Sequence, residues 1–191
     1  MSRLLLILLL VSCAKVSLVT LKKEELKPYP EFNSITYAKE ETNDFEISEV
    51  IDAREVKTQV GEALVGVYFD KTPVELYKDT SLFLKDYLYS SLAARNFTVA
   101  QNSENKMVVI INKLWVSELI EKYKPERAKC EIDATIKFQN EKKAAQIKLW
   151  TSITSKGDMG DATKKLPSTL ASCLNELTEK LVKSDALYQF I

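Results

Sequence analysis

Three thiols and no imidazole define the chemistry open to this chain: its cysteines are Cys13, Cys130 and Cys173, and histidine is absent. Without histidine, Ser-His-Asp and Cys-His sites and the usual histidine ligands of zinc are excluded; carboxylates or lysine would have to carry any catalysis. The stretch K-G-D-M-G-D, from Lys156 to Asp161, has the look of a phosphate or metal loop. It lacks the glycine spacing and the lysine-serine end of a phosphate loop, and two acidic residues fall short of a calcium loop's ligand set, so it reads as a turn before a helix. The sequence therefore predicts no enzyme, no metal site and no cofactor. Asp52 and Arg54, two apart on a predicted strand, share one face. Such a pair could recognise a charged headgroup or peptide, but its simpler reading is a surface salt bridge contributing about 0 to 1 kcal/mol.

Cys13 ends a distinct pattern. After Arg3 the chain is aliphatic from Leu4 to Val11. That is too short to cross a bilayer, which takes roughly 20 apolar residues, but it suits the apolar region of a secretory signal. Leu10-Val11-Ser12-Cys13 resembles the lipobox of bacterial lipoproteins. The resemblance implies that the Cys13 thiol is diacylglycerylated, that the chain is cut just before it, and that the new amino terminus is acylated. Several acyl chains would anchor stably, since each buried methylene contributes about 0.8 kcal/mol. Residues 1–12 are then a removed signal peptide, and 13–43, of mixed charge with Pro28 and Pro30, a lipidated tether. Ala14 provides no aspartate of the enteric inner-membrane retention type, which favours the outer membrane, facing the periplasm.

The other two cysteines lie in patterned segments. Cys130, Ile132, Ala134, Ile136 and Phe138 alternate with polar residues, predicting a half-buried strand with Cys130 facing inward. Leu170, Leu174, Leu177 and Leu181 recur at helical spacing, with Cys173 beside their stripe. Both thiols should therefore point into one core, either as a disulfide, as an oxidising compartment permits, or as two free thiols.

Residues 44–191 read as a single domain. A strand over Phe45 to Ile51 and a short one at Leu64 to Phe69 precede a helix capped by Asp79 or Thr80, with Leu84, Tyr87, Leu88 and Leu92 on one face. Asn96 can take the left-handed conformation that ends this helix, and Phe97 to Val99 would start a strand. A long strand from Met107 to Ile120, a hairpin of Lys129–Phe138 and Ala145–Ile153, and a final helix from about Pro167 to Ser184 follow. The expected fold is α+β, an antiparallel or mixed sheet with two long helices on one face. With 27 basic and 27 acidic residues, no general electrostatic case for nucleic acid exists.

From Phe45 onward the chain resembles the YajG-type envelope lipoproteins. The resemblance is carried by D-A-R at Asp52 to Arg54, Val60-Gly61, L-K-D-Y-L-Y-S-S-L-A-A-R-N-F-T-V, V-V-I-I-N-K-L-W-V, C-E-I-D-A-T-I-K-F-Q-N and the closing Phe190-Ile191. It implies a cysteine-anchored α+β domain facing the envelope and carries no activity. If helices cover one sheet face, the strand from Met107 to Trp115 still places apolar residues on the other, and Trp150 shares that outer parity, with Trp115 a candidate neighbour. Such a patch would suit an envelope protein partner, as an adaptor, or else lipid, as an accessory of an envelope transport system.

Overall fold

The computed structural model describes residues 18–26, 44–65, 70–120, 126–158 and 162–190. Cys13, the signal peptide and nearly all of the tether lie outside them, as do residues 159–161 of the K-G-D-M-G-D stretch. In chain order the elements are β1 (Val19–Leu21), a 3-10 turn (Lys23–Leu26), β2 (Glu46–Asp52), β3 (Gly61–Val65), β4 (Asp70–Leu76), α1 (Thr80–Ala93), β5 (Lys106–Glu118), β6 (Glu126–Gln139), β7 (Ala144–Lys156), α2 (Ala162–Val182) and α3 (Asp185–Tyr188). The fold is α+β, with a mixed seven-stranded sheet ordered β1-β4-β3-β5-β6-β7 and β2 paired to β5 off that line.

Alternation builds the sheet. On β6 and β7 one parity faces the helices, on β5 the inward parity changes between Ile111 and Leu114, and on β6 the inward Ile132, Ala134, Ile136 and Phe138 are at most 1% exposed. α2 lays Leu166, Leu170, Cys173, Leu174, Leu177 and Leu181 against them, all equally buried. Fully burying a leucine-sized side chain contributes about 1.5–3 kcal/mol, so this layer holds the domain together. α1 packs over β2 beside α2. The Asp79 carboxylate accepts from the Ser81 and Leu82 N–H groups at 2.9 and 3.1 Å, as the sequence predicts for an N-cap. The Tyr87 hydroxyl donates to the Ala171 carbonyl at 3.3 Å, tying the two helices, and burial pushes the phenol up to about 12. Asn96 has φ 65°, the left-handed conformation expected after α1.

Several boundaries differ from the sequence reading. The short strand begins at Gly61 rather than Leu64, and β4 follows it as an antiparallel partner. Phe97 to Val99 forms only a bridge, Val99 opposite Phe45. Pro167 lies inside α2 instead of in its first turn. There it cannot donate to the carbonyl four residues back, a local cost the buried leucine stripe outweighs.

β5 is the organising strand. Its whole length pairs antiparallel with β6, while its other edge is shared in series by two parallel partners: β2 along Lys106 to Ile111, then β3 at Val116 and Ser117. β3 approaches so closely that a Cβ on Gly61 would stand 1.8 Å from the Val116 carbonyl oxygen. Gly61→Ala should therefore destabilise the domain by about 2–4 kcal/mol, read as a lowered urea midpoint with an unchanged slope.

Candidate functional site

Between β2 and β3 the chain leaves the edge of β5 and returns, and this interruption is where the predicted charged pair sits. Opposite it, β5 carries a bulge between Ile111 and Lys113, with Asn112 and Lys113 both exposed. Arg54 fills the gap. Its Nε and Nη2 donate to the two Asp52 carboxylate oxygens at 2.8 and 2.7 Å. Nη1 donates to the Gln59 and Leu114 carbonyls at 2.8 and 3.2 Å, and Nη2 also to the Lys57 carbonyl and Thr80 Oγ1, both at 3.1 Å. One guanidinium thus joins the excursion loop, β5 and the first residue of α1.

This corrects the reading of Asp52 and Arg54 as a surface salt bridge: they are 8% and 9% exposed. A lone pair in a low-dielectric setting would be weak evidence for stability, but here each donor is answered, which is the condition under which burying such a pair is tolerated. The Arg54 donors are engaged within the protein, and the pair's role is to shape the site's floor.

Above that floor lies a shallow pocket of about 240 Å³, lined by Arg54, Glu55, Val56, Asn112, Lys113, Leu114 and Trp115. Val56 is exposed, and Trp115 is half-buried on the outer face. The register sets Trp115 opposite Glu131 and Trp150 opposite Asp133, so the two tryptophans share the outer face with β6 between them. Glu131 accepts from Lys113 at 2.7 Å and Lys129 at 2.9 Å, and these two ammonium groups lower its carboxyl below the usual range. Asn112 donates to Asp133 and Thr135 at 3.1 and 3.0 Å. The outer face is therefore amphipathic: Ile51, Val108 and Ile110 make a half-buried apolar strip, then comes a charged row, then Trp150 at 58% exposure. The structure brings Asp52, Arg54 and Trp115 together and leaves Trp150 apart.

Cys130 and Cys173 face each other across β6 and α2 as buried free thiols. Burial, with the neighbouring Cys173 thiol second, pushes the Cys130 thiol well above its ordinary range. Other hollows lie elsewhere: an aromatic one of about 260 Å³ at Leu26, Tyr77, Phe83, Tyr87 and Tyr89, and two adjoining polar ones of about 500 and 530 Å³ near Asn102 and Asn140. Among the described residues, no group of three or more acidic or cysteine side chains is arranged to hold a metal. The pocket's loop, Ala53 to Val60, was the part that pattern reading missed; the only local signals for it were the adjacent Asp52-Ala53-Arg54 and Val60-Gly61.

Arg54→Ala should cost about 3–5 kcal/mol in urea unfolding, because it strands a buried carboxylate, and Asp52→Ala combined with Arg54→Ala should cost less than the two single changes added. The native protein should resist alkylation of Cys130 and Cys173 at neutral pH, and both should react after unfolding without reductant. Failure to react after unfolding would mean that the pair is oxidised.

Comparison with known proteins places this architecture. A family described as uncharacterized lipoprotein matches residues 36–191. No curated protein matches the chain. Among solved structures, a Xanthomonas campestris protein aligns with TM-score 0.53 at 9% identity, covering 87% of this chain and 92% of that one. A minor lipoprotein from Acinetobacter baumannii aligns with TM-score 0.42 at 8% identity, covering 76% and 91%. The first likeness shows a shared fold, and the family match agrees with the YajG-type resemblance carried by the motifs. With its matched region running from residue 36 to the last residue, this chain belongs to the uncharacterized lipoprotein family.

Proposed function

We propose that this lipoprotein is a non-catalytic interaction module of the bacterial envelope, anchored through Cys13 in the outer membrane and facing the periplasm. Its domain, residues 44–191, then docks to an envelope protein complex through the outer sheet face. The observation that carries the reading is the asymmetry of the sheet. Among the described residues both long helices pack on one face, while the other presents Trp150 at 58% exposure and Trp115 beside the pocket at the bulge. An exposed and a half-buried tryptophan flanking a paired charge row are the composition of a protein-binding patch, where aromatic anchors supply affinity and charges supply register. The absence of histidine supports a binding role over hydrolytic chemistry.

The lipid anchor would contribute by confining the module to a surface, which raises its effective concentration toward a membrane-embedded partner without any new contact. The test is crosslinking of the full-length protein in intact cells, followed by identification of what co-purifies. A discrete protein partner is expected, lost when Cys13→Ala releases the chain from the membrane. Trp150→Ala or Trp115→Ala should reduce capture by about tenfold, the loss usual for an aromatic anchor. Unchanged capture in both tryptophan variants would refute the sheet-face site, and lipid recovered without protein would favour a lipid-handling accessory instead.

A further inference from the structure

β7 ends the sheet: it pairs with β6 along one side and with no strand along the other among the described residues. Long, regular edges of this kind are usually shortened, bent or covered, because their free N–H and C=O groups invite pairing. Here the edge runs for 13 residues, Ala144 to Lys156, and its register with β6 is uninterrupted from Ala144 to Ser155 apart from one shift at Ala128. At the other end of the strand order β1 has only three residues, and β2, paired to β5 alone, has seven.

The free groups can be assigned. The hairpin closes with the Asn140 N–H donating to the Lys143 carbonyl at 3.0 Å. Antiparallel pairs alternate between bonded and non-bonded, so Ala145, Ile147, Leu149 and Thr151 bond to β6, whereas Gln146, Lys148, Trp150 and Ser152 turn their backbone groups outward. The Trp150 carbonyl confirms the parity, since it accepts from Lys180 Nζ on α2 at 2.8 Å.

The core is also open along this edge. Ala145, Ile147, Leu149 and Ile153 are only partly buried, although their β6 partners Phe138, Ile136, Ala134 and Cys130 are at most 1% exposed. A further strand would complete their burial.

We propose that the occupant is a second copy of this chain, its β7 pairing antiparallel with this β7 about a twofold axis at Trp150. Trp150 is the midpoint of the strand, so this register alone keeps all 13 residues in the ladder. It places Lys148 opposite the partner's Ser152 and Lys156 opposite the partner's Ala144, with no like charges opposed. On the inner face Ile147 meets the partner's Ile153. The two Trp150 rings lie together at the axis, an aromatic cross-strand pair of the stabilising kind. Lys180 would yield the Trp150 carbonyl to the partner's N–H and retain Glu176, 3.6 Å away. The two seven-stranded sheets become one, with both outer faces on the same side. The assembly shares Trp150 with the outer-face patch, and Trp115→Ala, which alters the patch and leaves the β7 edge intact, separates the two readings.

The test is crosslinking through one introduced cysteine in the full-length protein in its own membrane, with the buried Cys130 and Cys173 replaced by serine or alanine, under mild oxidation and read by mass on a non-reducing gel. Opposed Cα atoms at a bonded pair stand about 5.5 Å apart, within disulfide reach, whereas positions offset by four residues stand about 14 Å apart. Trp150→Cys should give a covalent dimer of twice the chain mass. Lys148→Cys or Ser152→Cys alone should give at least about tenfold less, while co-expression of those two variants, which keep Trp150, should restore it. No dimer from either Trp150→Cys or the co-expressed pair, equal yields at every position, or an adduct of another mass would each overturn the proposal.

Discussion

The Asp52–Arg54 pair holds the sheet at the point where it would otherwise part. β5 needs a partner along both edges, but one edge is served by two separate strands, and the gap between them exposes a Leu114 carbonyl with no ladder partner. The guanidinium supplies that donor, takes two carbonyls of the excursion loop at the same time, and reaches Thr80 at the start of α1. Burying a charge is costly, and it is sustained here because Asp52 answers it bidentately within the same segment. Sheet continuity, loop shape and helix position thus converge on one side chain.

The two faces of the sheet divide labour on that frame. The inner face is buried under α2, and its thiols, Cys130 and Cys173, sit there as small apolar fillers. The outer face mixes apolar, charged and aromatic positions, with the bulge at Asn112 and Lys113 turning two consecutive side chains toward solvent beside the pocket. A bulge re-aims side chains without loss of the strands that flank it, which is how a regular sheet acquires a local recognition feature. Close approach at Gly61 is the complement of the same geometry: β3 must press against β5 as soon as the loop returns.

Much of this is legible in the sequence, and the reasons are local. Cys130 to Phe138 alternates strictly and became part of β6; the Leu170 to Leu181 stripe became the buried face of α2; Asp79 capped α1 as its side chain predicts. β4 was missed because Asp70, Lys71 and Pro73 disguise a strand lying near the sheet margin. Arg54 reads as exposed in the sequence because its partners Leu114 and Thr80 are distant along the chain, and nothing adjacent to it announces burial. Trp150 was correctly placed on the outer parity, yet the charge row separating it from Trp115 depends on β5–β6–β7 register, which periodicity does not encode.

The parallel pairing of β2 and β3 with β5 also bears on how the chain folds. β5, β6 and β7 are joined by short connections and can assemble early, whereas the loop that completes β5 closes across 60 residues between Arg54 and Leu114. Loop-closure entropy is paid before such contacts return anything, so high contact order slows this step relative to the hairpins. The folding chain therefore carries β5 with a bare edge until its amino-terminal part returns. During that interval the folding intermediate has two open edges, on β5 and β7, where the finished domain has closed the first.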